Sequence, residues 1–301
     1  MAGLVCADAL RGDVTVFEKS RGIGGRLATR AVTTADGRPV AFDHGTPGIR
    51  PAESLFAGLL SDLADAGTAA EWRGGLVVGL PGMRDLLSPL AEGLDIRFEA
   101  RVDALRRDGD GWRLTLAPHE REGGTATGEE RPFDRVVLAL PAPQARSLLA
   151  PIAPALAAAL EPFEAEPSWT LMAAFDGGTG EPAAGGMDGA EWLIREHEKP
   201  GRTASPRAYT LQMSAEWSAE RLELERETVL PLMMEILRRR SGETGAPLVA
   251  MAHRWRYART GNALGEAFLE ADGLVVGGDW ALGNGAEHAW ASGKAIAQAL
   301  L

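Results

Sequence analysis

Residues 3–30 constrain the fold most, because a small-residue run, an acid-ended β-favouring run and a glycine-arginine segment follow one another directly. Gly3–Leu10 (GLVCADAL) predicts a helix whose small side chains let it pack closely on a sheet. Val14, Val16 and Phe17 predict a short strand ending at Glu18. A helix, a turn at Arg11–Asp13 and such a strand make the second half of a dinucleotide-binding βαβ unit. If Gly3 is the last glycine of G-x-G-x-x-G, the first glycine falls three positions before Met1. Glu18 then follows that glycine at about the 20-residue spacing of the acid that holds the ribose hydroxyls. The expectation is a chain that starts inside its own phosphate-binding loop, with its first strand missing and an upstream in-frame strand ending in Gly-x-Gly.

Lys19–Arg30 reads KSRGIGGRLATR. Its closely spaced glycines let backbone approach a ligand. Arg21, Arg26 and Arg30 add three cations, and the forked donors of a guanidinium match the oxygens of a pyrophosphate. The competing reading is a solvated glycine-rich turn.

The rest of the composition is restrictive in other ways. Lys and Arg number 31 against 42 Asp and Glu, a net charge of −11, and the only basic block is Arg238–Arg240. That balance argues against nucleic acid as a partner. Cys6 is the single cysteine, so no disulfide forms within the chain. No apolar stretch reaches the ~20 residues of a membrane span, and Met1–Leu10 lacks the basic start of a signal peptide. The expected location is cytoplasmic, with no membrane partner. Gly123–Glu130 and Asp176–Gly189 read as exposed loops, and His119 as loop surface. No paired-ligand spacing or Gly-x-Ser-x-Gly elbow points to a metal or hydrolytic site.

Several blocks in order resemble the flavin amine oxidase superfamily, and within it the renalase-like oxidoreductases. They are VTVFEKSRGIGGRLATR (14–30), FDHG (42–45), PGM (81–83), FDRVVLALPAPQA (133–145), KPGR (199–202), HRWRYA (253–258) and GLVVGGDW…GAEHAWASG (273–293). The resemblance implies noncovalent, extended FAD. By motif, Gly3, Glu18, Lys19, Gly24, Gly25 and Arg26 belong to the cofactor site, with Glu18 on the adenosine ribose and Arg26 on the pyrophosphate. Val102, in the strand-like ARVDALRR, meets the adenine through its backbone, although a strand valine is also an ordinary core residue.

Gly273–Asp279 predicts a buried strand, and Gly285–Leu301 a helix rich in small residues. The crevice at such a strand's carboxyl end, beside a helix start, is where open α/β sheets bind ligands. The resemblance places Gly278 and Asp279 near the ribityl-pyrophosphate, and the Gly285–Ala286–Glu287 backbone at the flavin N1/O2 edge. Asn284-Gly285-Ala286-Glu287 departs from the commoner Arg-Val-Glu version there, and the Glu287 side chain also reads as a first-turn helix carboxylate.

In the middle of the chain, the runs at Ser168–Phe175, Trp192–Arg195 and Tyr209–Met213 predict an antiparallel sheet, and Glu220–Arg240 a long helix despite Pro231. The expected fold is α/β: a Rossmann-like FAD-binding domain (1–53, 94–149 and 270–301) and an α+β substrate domain (54–93 and 150–269). His44, His253, Trp255 and Tyr257 are candidates for the substrate pocket, with Trp255 and Tyr257 open to a core reading instead. No catalytic acid or base stands out. The resemblance implies oxidation of dihydronicotinamide isomers of NAD(P)H, with O2 as acceptor. The alternatives are oxidation of a small amine, or a flavin-free chain that is not an enzyme.

Overall fold

The computed structural model describes residues 1–117, 131–182 and 188–301. His119 and Gly123–Glu130 lie outside these, as does part of Asp176–Gly189. The chain divides into two units, Met1–Ile23, Leu87–Ala165 and Arg259–Leu301 forming one, Gly24–Leu86 and Glu166–Ala258 the other. Each unit is therefore discontinuous, and the Glu18–Arg26 motif straddles the first boundary.

In chain order the first unit opens with α1 (Ala2–Leu10) and β1 (Thr15–Phe17). The second then contributes β2 (Thr29–Thr33), β3 (Pro39–Asp43), α2 (Ser54–Asp65), β4 (Ala69–Trp72) and β5 (Leu76–Gly79). The chain returns to the first unit for α3 (Ser88–Ala91), β6 (Asp95–Arg97), β7 (Val102–Asp108), β8 (Gly111–Leu116), β9 (Val136–Leu138), α4 (Ala142–Leu149) and α5 (Pro154–Ala159). It crosses again for β10 (Ala165–Phe175), β11 (Ala190–Arg195), β12 (Arg207–Met213), α6 (Ala215–Ala219), α7 (Arg226–Ser241) and β13 (Val249–Thr260). It ends in the first unit with β14 (Phe268–Ala271), β15 (Leu274–Gly277), α8 (Asp279–Leu282) and α9 (Ala286–Leu300).

The first unit is Rossmann-like. β1 runs parallel to β6, and β15 parallel to β9, while β14 adds antiparallel to β15. All four residues of β15 are buried, the pattern of a strand covered on both faces. α1 packs against α9 because glycine lets it: a Cβ on Gly293 would stand 2.4 Å from the Ala2 carbonyl oxygen. The core below centres on Trp112, Leu138, Leu149, Leu160, Leu274, Val276 and Trp280.

The second unit carries the expected antiparallel sheet, in the order β11-β12-β10-β13. Side chains alternate across it, as strand geometry requires. Trp169, Leu171, Ala173 and Phe175 face α7, and Met172 and Ala174 face the β2–β3 hairpin. The predicted long helix over 220–240 starts later than expected, as α7 at Arg226, because residues 220–225 form hydrogen-bonded turns after α6. Leu222 therefore lies outside α7 and Leu232 is exposed, while Val229, Met233, Ile236 and Leu237 supply the buried face. Pro231 lies in the second turn of α7 and removes one intrahelical hydrogen bond, to the Glu227 carbonyl. Among the described residues, no helix is long and apolar enough to cross a membrane.

Candidate functional site

In the first unit, the end of β1 leads directly into the predicted acid. The Ser20 N–H donates to Glu18 Oε1 at 2.7 Å and so holds the carboxylate beside the turn. The Glu18 and Ser20 carbonyls accept from the Ala100 and Glu99 N–H groups, each at 3.0 Å. That pairing brings Glu18 beside the segment that enters β7 at Val102. Lys19 is exposed, and Val102 is half-buried at the start of its strand.

The carboxyl ends of β9 and β15 lie on the same side of their sheet, because the two strands run parallel in register from Val136–Leu274 to Leu138–Val276. Gly3 faces the β9 exit, where a Cβ would sit 3.2 Å from Ala139 Cβ. Trp280 Nε1–H donates to the Leu140 carbonyl at 3.0 Å, and the Gly278 N–H donates to Ser292 Oγ at 3.0 Å. Gly278 has φ 156°, and a side chain there would press on the Trp280 ring at about 3 Å. Asp279 is buried at the start of α8. Gly285 caps α9 with φ 129°, open space around its Cα and no side-chain cap. The first N–H groups of a 15-residue helix are thus not closed by a capping side chain, and Ala286 and Glu287 form its first turn.

The second unit holds the rest of the predicted residues. Gly24 and Gly25 (φ 130° and 53°) make a turn into a short 3-10 segment, Gly25–Leu27. Arg26 reaches the end of β13, where its Nη1 donates to the Ala258 carbonyl at 3.1 Å. The Arg26 carbonyl in turn accepts from the Thr46 N–H at 2.8 Å. Gly45 lies so close beneath it that a Cβ would stand 2.0 Å from the Arg26 oxygen. Turn, β3 exit and β13 are therefore one packed assembly.

The odd-numbered side chains of β13 form one face. Val249 and Met251 pack with Val32, Val40 and Phe42 of the hairpin, whereas Ala252 packs on the opposite side. Continuing that face, His253 and Trp255 meet His44 in a three-ring cluster. The centroids lie 5.0 Å (His44–His253), 5.2 Å (His44–Trp255) and 4.4 Å (His253–Trp255) apart. Trp255 Nε1–H donates to the His44 carbonyl at 2.8 Å, and Gln212 Nε2 donates to the Gly45 carbonyl. Every residue of β13, Trp255 and Tyr257 included, is half-buried. Trp255 and Tyr257 are thus partly exposed rather than fully buried. Arg254 and Arg256 point to the other face, where Arg256 pairs with Glu223 at 2.7 Å.

Both imidazoles are neutral. Burial, helped by the nearby Arg30 charge, pushes His44 down to about 4. Burial, with His44, Arg226 and Arg30 adding, pushes His253 down to about 3. Unfolded histidine titrates near 6.5, so the unfolded chain binds a proton that the folded chain refuses. Stability contributed by a neutral His44 is full above pH ~6.5 and is lost as pH falls toward about 4. Over that interval the loss is ~2–3 kcal/mol, read as a falling urea midpoint, and His44→Gln removes that part of the slope. An unchanged slope in the variant contradicts a neutral, buried His44.

Beneath the wall lies a cluster that the motifs FDHG and KPGR contain but that no sequence argument singled out. Asp43 Oδ2 accepts from Lys199 Nζ at 2.7 Å and Arg202 Nη2 at 2.9 Å, with Asp43 fully buried and Lys199 1% exposed. Asp43 Oδ1 accepts from Thr29 Oγ1 at 2.7 Å and the Met83 N–H at 3.1 Å. Glu196 Oε1 accepts from Thr210 Oγ1 at 2.8 Å and the Asp43 N–H at 3.1 Å, and Glu196 Oε2 lies 3.0 Å from Lys199 Nζ. Burial raises both carboxyls. For Asp43 the Lys199 and Arg202 charges prevail and hold it below the usual range, while Glu196, repelled by Asp43, stays above it. The signal was present as an acid beside His44 and two cations three apart, but nothing local pairs residues 43 and 199.

The comparisons with known proteins agree on a family. Residues 70–301 match the model of the flavin containing amine oxidoreductases, and residues 1–63 that of an NAD(P)-binding Rossmann-like domain. A putative protoporphyrinogen oxidase from Exiguobacterium sp. 255-15 is similar with a TM-score of 0.53 and 19% identity over 76% of this chain. The present chain spans only 53% of that protein's length. A putrescine oxidase variant redesigned in its cofactor binding is similar with a TM-score of 0.56 and 14% identity, over 99% of this chain and 95% of its own. Identities this low speak to the fold alone. FAD fits the residues present: Gly285 leaves open space before an uncapped helix start, and Glu18 is a pre-positioned acid at a strand end. On the extent of the family match, the chain belongs to the flavin-containing amine oxidoreductases, oxidoreductases whose cofactor is FAD.

Proposed function

We propose that the chain oxidises dihydronicotinamide isomers of NAD(P)H, those with the hydride at nicotinamide C2 or C6, to NAD(P)+. What FAD supplies when bound is a hydride acceptor and a route for the electron pair to O2. The balance is NAD(P)H, one proton and O2 giving NAD(P)+ and hydrogen peroxide. In this reading the first unit is the cofactor domain. Glu18 holds the adenosine ribose, with Gly3 and Lys19 in the same site, the Val102 backbone meets the adenine, and Gly278, Asp279 and the Gly285–Glu287 backbone meet the ribityl chain and flavin edge. Gly24, Gly25 and Arg26 serve the pyrophosphate, and the second unit supplies the substrate wall.

The observation that carries the reading is the chemistry of that wall. Its rings are two neutral imidazoles and an indole, tilted or edge-on to one another rather than facing as a parallel pair. Asp43, the carboxylate acting on His44, is already engaged by Lys199 and Arg202. A wall like this offers stacking to a neutral, flat dihydropyridine and no anion to an ammonium group. Hydride loss from a dihydropyridine needs no general base, because the ring gains aromaticity. The residues therefore have to orient the donor carbon and exclude water rather than move a proton.

The sibling reading, oxidation of a small amine, is supported by the family match itself. Steady-state peroxide release separates the two when the FAD-loaded protein is offered 2- and 6-dihydronicotinamide isomers, ordinary NADH, and small mono- and diamines. The expected result is turnover of the isomers, with one NAD(P)+ formed per peroxide. Turnover of amines alone overturns the proposal.

A further inference from the structure

We propose that Arg30 selects phosphate-bearing substrates: its guanidinium contacts the 5′-phosphate of a nicotinamide nucleotide whose ring lies on the His44–His253–Trp255 wall. This inference rests on the dihydronicotinamide reading above. By sequence, Arg30 sits with Arg21 and Arg26 as a cation for the cofactor pyrophosphate. The structure separates them. Arg26 turns back to the Ala258 carbonyl, while Arg30 lies in β2 directly opposite Phe42, two residues before His44. Val32, Val40 and Phe42 occupy the hairpin face that packs on β13, so the strand position of Arg30 is at the margin of the ring wall. Its charge is felt at both imidazoles.

Arg30 also differs from most arginines of the second unit. The chain has 42 acidic residues for 31 basic ones, and Arg38, Arg202, Arg207 and Arg256 in the same unit all engage carboxylates. Arg30 is exposed and makes no ion pair or side-chain hydrogen bond among the described residues. An unpaired guanidinium beside neutral rings suits a ligand with a flat ring at one end and an anion one sugar away. The fork of arginine also matches phosphate geometry. An ammonium ligand would meet repulsion at the same place.

The test uses the FAD-loaded protein and two product-side probes that differ only in the phosphate, nicotinamide mononucleotide and nicotinamide riboside. Dissociation constants come from titration calorimetry. The expected wild-type result is mononucleotide binding at least ~10-fold tighter than riboside at low salt, a preference that shrinks as salt screens it. Arg30→Gln should bring the two within about twofold by weakening only the mononucleotide, and Arg30→Lys should restore part of the preference. Arg135→Gln, in an exposed pair with Glu270, should leave the ratio untouched. If both probes bind and Arg30→Gln keeps the wild-type ratio, the inference is overturned and the functional reading stands. If that variant instead loses FAD with the ratio unchanged, Arg30 serves the cofactor, which also overturns it. If neither probe binds the wild type, the dihydronicotinamide reading falls and takes the inference with it.

Discussion

Asp43→Ala should cost ~4 kcal/mol and lower the melting temperature by ~10 °C. The carboxylate joins β3 to Lys199, Arg202, Thr29 and the Met83 backbone, all at 2.7–3.1 Å. Its removal leaves Arg202 without its carboxylate and Lys199 with Glu196 alone, in a nearly dry interior, and breaking a buried pair is far more costly than never having had one. Glu196→Gln is the informative contrast. The Glu196 carboxyl is already pushed up by burial, and an amide oxygen still accepts from Thr210 and the Asp43 N–H. Its cost should stay below ~1.5 kcal/mol. Equal losses in the two variants, measured by thermal or urea unfolding, contradict the unequal sharing of charge between the carboxylates.

Gly45→Ala should be nearly as damaging, and it should also reach the flavin. The new methyl would overlap the Arg26 carbonyl oxygen at 2.0 Å and its carbon at 2.8 Å, both backbone atoms that no rotamer change can clear. The glycine-arginine turn must move, and the Thr46 N–H bond to Arg26 goes with it. Overpacking of this kind costs ~1–3 kcal/mol. Because we assign Arg26 to the cofactor pyrophosphate, FAD affinity should fall at least ~10-fold in the same variant. Gly37→Ala, in the β2–β3 turn, serves as the control: its φ of 86° is strained for alanine, nothing lies within 4 Å of the added methyl, and the position has no part in the cofactor site. It should lose ~1 kcal/mol and little flavin. Full flavin retention by Gly45→Ala, read from the visible spectrum after gel filtration, would detach the turn from the cofactor site.

Much of this architecture is visible in short stretches of sequence. Gly3–Leu10 and Thr15–Phe17 declare themselves through small residues and a β-favouring run, and they form α1 and β1 within a residue or two of expectation. Ser168–Phe175, Trp192–Arg195 and Tyr209–Met213 become three neighbouring strands because each run is long enough to carry its own pattern. The start of α7 at Arg226 rather than Glu220 was not visible, since no glycine or proline marks the turns at residues 220–225.

The candidate site was legible as an inventory but not as an arrangement. His44 and Trp255 are 211 positions apart and meet through a carbonyl and an indole N–H, a partnership that no local pattern encodes. The same holds for Asp43 with Lys199, 156 positions apart. Charge and ring type mark such residues as consequential. Which carboxylate keeps its charge is decided by packing alone.

The most direct test of the account is an anaerobic titration of the FAD-loaded protein with a purified 2- or 6-dihydronicotinamide isomer, following the visible flavin absorbance. The account predicts that the band bleaches in proportion to the isomer added, complete at one equivalent, with NAD(P)+ formed in the same amount and the band restored by air. A band that persists under excess isomer but bleaches with a small amine would contradict it.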